Sequence, residues 1–487
     1  MPSSLSNSSQ PLHLWSAAEL TQAFADRQLS PVEVTQAVLA QIERCEPRLH
    51  ALYALDAEAA LAQARASEAR WLRGEPRCPA GLDPRLSLDG VPLTLKENIA
   101  TRGTPMPLGC AASELRPAEE DAPPAARLRE AGALLLAKTT MPDYGMLSSG
   151  LSSFHPLTRN PWDLSKNPGG SSAGAAAAAA AAYGPLHVGT DIGGSLRLPA
   201  GWCGIFSLKP SLGRIPIKPA YAGRVAGPMT RSVADAARLM AHLSRPDWRD
   251  ASSLPLQAID WLDLRRDLRG LRLGLLLDAG WGTPVSAEVG AVVQEAARRF
   301  EQAGARVEPL APFCSRAMID GLDKFWRMRS WLDFRALPPE RQARVLPYIR
   351  AWVEGAAGLA ADELFQGYSQ MQALREAAVA AGQPFDYVLS PVSPEPAFAA
   401  EWASPLNDPA RPFEHIAFTL AYNMSEQPAA SINAGYSAQG LPIGLQIIGR
   451  RFDDLGVLQL CAEFERLRGP QRPWPVDSAA APHSQER

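Results

Sequence analysis

The sequence offers little that would hold a metal or a disulfide framework. Its six cysteines (Cys45, Cys78, Cys110, Cys203, Cys314 and Cys461) are scattered through 487 residues, and none forms a CxxC pair. Incidental thiols are expected, not a zinc site or a set of staples. The seven histidines are equally dispersed and no HExxH occurs, so neither a metal nor a cofactor is expected. No run of about eighteen apolar residues exists, which excludes a membrane-spanning helix. The opening MPSSLSNSSQ has no apolar stretch, so no signal peptide is read there, and a cytoplasmic enzyme without a membrane partner is expected. An excess of one charge is missing too. The net charge of −3 gives no reason to expect a nucleic-acid partner. No internal repeat of roughly 20–50 residues is present.

What remains is the composition of an ordinary globular protein, 46% hydrophobic and 20% charged. Ser16-x-x-Glu19 and Ser30-Pro31-x-Glu33 read as capping boxes, the second with proline at the first helical position. Helical spacing continues over Val32–Ile42, and another helix is expected over Ala57–Trp71. From about residue 90 the pattern alternates. Val91–Leu95, Leu134–Ala137, His187–Thr190, Leu273–Leu277, Val307, Tyr387–Ser390, Ala430–Asn433 and Gly444–Ile448 read as strands. Ala125–Ala131 and Ala287–Ala303 read as helices between them. Such alternation predicts an α/β layered fold with a mixed sheet. The polar stretch Ser244–Leu256 reads as a loop between halves. The aromatic stretch Trp326–Trp352 is either a helical lid over a pocket or a set of amphipathic core helices.

The densest chemical signal is Asn167–Arg214, with Gly169-Gly170-Ser171 and Gly193-Gly194-Ser195 on either side of the alanine tract Ala175–Ala182. Glycine clusters let the backbone approach a ligand and turn successive N–H groups into one concavity. A P-loop would need a lysine directly after the glycines, and none follows. Gly170-Ser-Ser172-Ala-Gly174 fits GxSxG, but no strand precedes it, and His187 and His415 are not in persuasive positions for a partner.

These motifs, in order, resemble the amidase signature family over roughly residues 14–466. The resemblance is carried by Gly90-Val-Pro-Leu-Thr-Leu-Lys96-Glu-Asn98, Asn160-Pro-Trp-Asp163, the Gly/Ser-rich run Gly169–Pro210, Gly227–Asp235 and Gly440–Gln446. It implies a single large α/β/α layered domain with a mixed central sheet flanked by helices. It divides the chain into a flexible 1–13, a catalytic domain over 14–470 and a flexible tail 471–487. Within the domain it implies a helical section 14–75, a catalytic core 88–240 and a variable pocket or lid section 310–355.

The resemblance further implies a Ser–Ser–Lys triad. Lys96 would be the base, Ser171, following a cis peptide bond, the bridge, and Ser195 the nucleophile. The backbone N–H groups of Ile192, Gly193, Gly194 and Ser195 would form the oxyanion hole. Ser172, Asp191 and Arg197 would support the loop. Met146, Leu147, Ser148, Ser149, Gly150, Trp326 and Trp331 are expected around the substrate. Two departures are visible: Ala173 where glycine is common, and Glu97 where aspartate is common. The implied activity is hydrolysis of a carboxamide or related acyl C–N bond, in an aryl or alkyl amide or a carbamate (urethane), or of the acyl C–O bond of an ester. The substrate is then a small molecule, and a homodimer is left open. The alternative is the glutaminase subunit of a tRNA-dependent amidotransferase. Leu147–Pro156 and Asn423–Pro428 weigh toward the stand-alone enzyme.

The chemistry suits these residue types. A serine hydroxyl needs a base at neutral pH. Lysine is a base only when neutral, which burial favours.

Overall fold

In the computed structural model, which describes residues 10–476, both capping boxes form. Ser16 Oγ accepts from the N–H of Glu19 and starts the helix Ala17–Ala25. Ser30 and Glu33 start the helix Pro31–Leu49, which ends on His50 in the left-handed region. These helices, with Ala57–Arg73, lay their apolar faces on the main core. Most of the two ends expected to be loose, residues 1–9 and 477–487, lies outside the described residues.

The described residues build one sheet of eleven strands. In chain order they are β1 (Leu52–Tyr53), β2 (Pro92–Lys96), β3 (Leu134–Thr139), β4 (Leu186–Asp191), β5 (Phe206–Lys209) and β6 (Val225–Thr230). They continue with β7 (Arg272–Leu275), β8 (Arg306–Pro309), β9 (Tyr387–Pro391), β10 (Ala429–Tyr436) and β11 (Pro442–Ile448). The spatial order is β1-β3-β2-β4-β6-β5-β10-β11-β9-β7-β8. β2 is parallel to β3 and β4, β7 is parallel to β8 and β9, and the pairs between β4 and β9 are antiparallel. The mixed sheet with helices against it is the expected architecture. No helix among the described residues is long and apolar enough to cross a membrane.

The alanine tract becomes the helix Ala173–Ala180, buried at every position. Small side chains let it run through the interior at close range. A Cβ on Gly174 would come within 2.2 Å of the Ala51 carbonyl oxygen. This helix separates the two Gly-Gly-Ser units in sequence, and β4 returns the chain so that they meet in space. The aromatic stretch folds into the helices Arg316–Arg335, Pro339–Gln342 and Pro347–Glu354. Part of it is packed in a satellite core, and part walls a pocket.

Candidate active site

Lys96 ends β2, a strand buried at all five positions. Its ammonium is therefore shielded from solvent. It donates to Ser171 Oγ at 2.8 Å and to Ser172 Oγ at 3.1 Å. Burial holds its pKa well below the ordinary 10.5. Arg224 pushes the same way, and Asp191 and Glu97 oppose it. A shifted pKa does not by itself single out Lys96, since burial also brings Lys138 and Lys209 down to about 7. Those two lysines bond to Thr101 and the Ile99 carbonyl and to the Pro210 carbonyl, respectively. Only Lys96 of the three reaches a serine.

The Gly170–Ser171 peptide is cis. Ser172 stands at the start of the alanine helix, and its Oγ donates to the Thr190 carbonyl at 3.1 Å. That hydroxyl is committed between Lys96 and β4, so Ser172 is no exposed nucleophile. His187 is committed as well, to Thr94 and the Gly184 carbonyl. The N–H of Ser172 donates to the carbonyl of Ser195 at 3.2 Å and ties the two Gly-Gly-Ser units together.

The loop after β4 is shaped by Asp191 and Arg197. Asp191 accepts from the N–H groups of Gly194 (2.7 Å) and Leu196 (3.0 Å). Arg197, fully buried, pairs with Asp191 at 3.0 Å and also donates to Gln446 at 2.7 Å and the Thr419 carbonyl at 2.9 Å. Burial alone would raise the Asp191 pKa. The Arg197 charge and hydrogen bonds overcome that and hold the carboxyl far below the usual range. Asn423 bonds both partners, and Thr419 Oγ1 donates to the Gly193 carbonyl at 2.7 Å.

This bracing differs from the expected oxyanion hole at one position. The Gly194 N–H is turned onto Asp191. Among the described residues, the N–H groups of Ile192, Gly193 and Ser195 make no hydrogen bond, and neither does the Ser195 hydroxyl. Gly194 instead supplies backbone freedom, with φ of +130° and no room for a Cβ beside Thr419 and Leu198.

Ser195, Ile192 and Gly193 line a pocket of about 690 Å³ including its open mouth. Met146, Leu147, Ser148 and Trp326 line it as expected. Ser149 and Gly150 lie behind that wall, where Asn167 holds them: its amide donates to Ser149 Oγ at 2.8 Å, and its oxygen accepts from Gly150 at 3.0 Å. The same oxygen accepts from Gly169 at 2.9 Å, so Asn167 braces both the pocket wall and the Ser171 loop. Trp331 stacks on Phe334 in the satellite core and is not among the lining residues. Arg329 and Trp352, from the aromatic stretch, line it too, as do Tyr144, Tyr221, Phe413 and Ile416, which lie outside every segment expected there. Phe413 and Ile416 lie more than two hundred residues from Ser195, and no local pattern marks them. Asn423 and Gln446 sit in segments singled out from the sequence, and their tie to Arg197 is the physical content of those segments.

The arrangement offers a hydroxyl in a pocket, a buried lysine in contact with a second serine beside it, and unpaired N–H groups on the same loop. That set can form and stabilise a tetrahedral intermediate at an acyl carbon. A model of the Amidase family matches residues 33–458. A glutamyl-tRNA(Gln) amidotransferase subunit of Myxococcus xanthus (strain DK1622) is 36% identical over 480 residues, covering 92% of this chain and 96% of that protein. A bacterial aryl acylamidase of the amidase signature enzymes superposes with a TM-score of 0.87 at 29% identity, covering 97% of this chain and all of that one. The peptide amidase of Stenotrophomonas maltophilia gives 0.80 at 28% identity, covering 95% and 99%.

Proposed function

This chain belongs to the Amidase family, and from that premise we propose that it hydrolyses a carboxamide or related acyl C–N bond, carbamates included, through an acyl-enzyme on Ser195. The observation that carries the reading is the 2.8 Å contact from buried Lys96 to Ser171, set beside a loop whose free N–H groups flank Ser195. Ser195 Oγ attacks the acyl carbon while its proton passes to Ser171 Oγ, and the Ser171 proton passes to neutral Lys96. The N–H groups of Ile192, Gly193 and Ser195 hold the oxyanion. Collapse expels the amine, which takes a proton from Ser171 as Lys96 returns one, because an amide anion is a very poor leaving group. Water then repeats the sequence and frees the acid. The reading takes the substrate to be a small molecule and the setting to be cytoplasmic.

Two readings of the substrate remain, and different observations favour them. Sequence likeness favours the glutaminase subunit: 36% identity to an amidotransferase component exceeds 29% to the aryl acylamidase. This reverses the weight that Leu147–Pro156 and Asn423–Pro428 carried in the sequence. The pocket favours a stand-alone amidase. Its walls include Trp326, Trp352, Phe413 and Ile416, which suit an apolar acyl group better than a zwitterionic amino acid.

The test is turnover by the purified chain of aryl amides, glutamine, peptide amides and carbamates, with Ser195→Ala as control. Turnover that survives in Ser195→Ala removes the acyl-enzyme. Glutamine hydrolysis that needs co-purifying subunits establishes the second reading.

A further inference from the structure

A second cavity adjoins the Ser195 pocket, and the chemistry above does not use it. It encloses about 940 Å³ including its open mouth. The two cavities share a wall of Tyr144, Met146, Tyr221, Arg329 and Ser330. Beyond that wall it is lined mainly by apolar side chains, Met106, Leu108, Met141, Phe334, Ile349 and Val353, with Asp333 the one carboxylate. Its position relative to the lysine is fixed by Asn98. This residue lies two positions after Lys96, lines the cavity, and donates to Thr190 Oγ1 at 3.1 Å. The Thr190 N–H in turn donates to Ser172 Oγ at 3.3 Å. Arg224 lines the cavity too. Met141 lines the chamber, and a Cβ on Gly145 would meet Met141 at 3.2 Å and Ser171 Oγ at 3.3 Å, so the chamber lies beside the Ser171 end of the Ser171–Lys96 pair.

That side has a chemical meaning. The departing amine takes its proton from the Ser171–Lys96 pair, so it leaves towards them. The acyl part stays on Ser195 in the aromatic pocket. Between the two stands Tyr221, on a turn that is exposed at residues 218–220 and 222. Its ring has the Arg329 guanidinium 4.1 Å from its centroid and that of Arg224 at 5.1 Å. Two such cation–π contacts hold in place a ring that the turn alone would leave free. Ammonia fills about the volume of one water, about 30 Å³, and gains nothing from a chamber of this size.

We propose that this chamber receives the leaving amine, that Tyr221 sets the size of amine admitted, and that the substrates are amides or carbamates N-substituted with an apolar group. The inference rests on the Ser195 acyl-enzyme reading and chooses the stand-alone branch of it.

The experiment uses the full chain and two substrate series. One holds the acyl group constant: butyramide, N-methylbutyramide, butyranilide and N-(1-naphthyl)butyramide. The other holds aniline constant: acetanilide, butyranilide and octananilide. The wild-type protein is expected to favour butyranilide over butyramide by at least tenfold in kcat/KM. Tyr221→Ala is expected to shift the amine series at least fivefold towards naphthylamide and to leave the order of the acyl series unchanged. Tyr221→Trp shifts the amine series the other way. If Tyr221→Ala does not fold, Tyr221→Trp and the wild-type profile decide. Wild-type turnover of butyramide equal to or above that of butyranilide overturns the proposal, as does a Tyr221 effect confined to the acyl series. Turnover of neither series also overturns the proposal, whereas turnover retained in Ser195→Ala overturns the acyl-enzyme reading itself.

Discussion

At Lys96 the requirements of folding and of the proposed chemistry oppose each other. Its folded pKa lies below the unfolded value of 10.5, so folding at neutral pH either strips a proton or buries a charge. The cost is full below the lowered pKa and fades as pH rises through 10.5. Lys96→Met is therefore expected to raise Tm at pH 7, with the gain shrinking in melts near pH 10, while kcat falls by about 10²–10⁴-fold. The wild-type rate should rise with pH through the lowered lysine pKa, giving an ascending limb below the ordinary lysine range. Glu97 opposes that lowering, so in Glu97→Gln the limb should move acidward in a kcat/KM–pH profile. Gly194→Ala places a methyl against Thr419 and Leu198 and should cost about 10²-fold or more in kcat by displacing the N–H groups beside it. At this scale the two serines and the lysine were legible because order and context along the chain mark them. The commitment of the Gly194 N–H to Asp191 was not, because it depends on where one carboxylate points.

At the scale of elements, alternation marks eight of the eleven strands, and the capped helices are marked too, while the helices Ala361–Gly382 and Asp454–Leu467 carry no signal read in the sequence. The capping boxes at Ser16 and Ser30 carry their own start signals and form as read. β6 was missed because Val225-Ala-Gly-Pro-Met-Thr230 carries glycine and proline where a strand is not expected. The structure supplies the reason. β5 pairs with β6 only at Met229 and Thr230, so Pro228 has β4 alone as neighbour and one edge that needs no donor. Gly227 lies so close to Leu208 that a Cβ would come within 2.1 Å of its carbonyl oxygen. Both residues are explained only by partners distant in sequence. The alanine helix is the reverse case: its composition looked bland, and its smallness is what the interior demands. Ala176→Leu or Ala179→Leu, each at a site with no exposed surface, should lower stability by about 1–3 kcal/mol through overpacking, read from denaturant midpoints at unchanged m.

Across the whole molecule, the pocket is assembled from parts that no stretch of sequence holds together. Tyr144, Tyr221, Trp352 and Phe413 meet at one mouth, and such convergence has no signature in a single sequence. The family, and with it the fold, was legible over most of the chain because its motifs recur in order. The walls were not, because tertiary packing alone selects them.

The Arg197 knot has a consequence in time. All three proposed catalytic side chains leave the ribosome before residue 200, but Arg197 waits for Gln446, 249 residues later. At roughly 5–20 residues per second, that is about 12–50 s of synthesis with the nucleophile present and its loop unbraced. A nascent chain halted before Thr419 should carry Ser195 yet fail to label with a fluorophosphonate, while the released chain labels. The order of the residues thus leaves the bracing of the nucleophile loop to contacts made when almost the whole polypeptide has been synthesised.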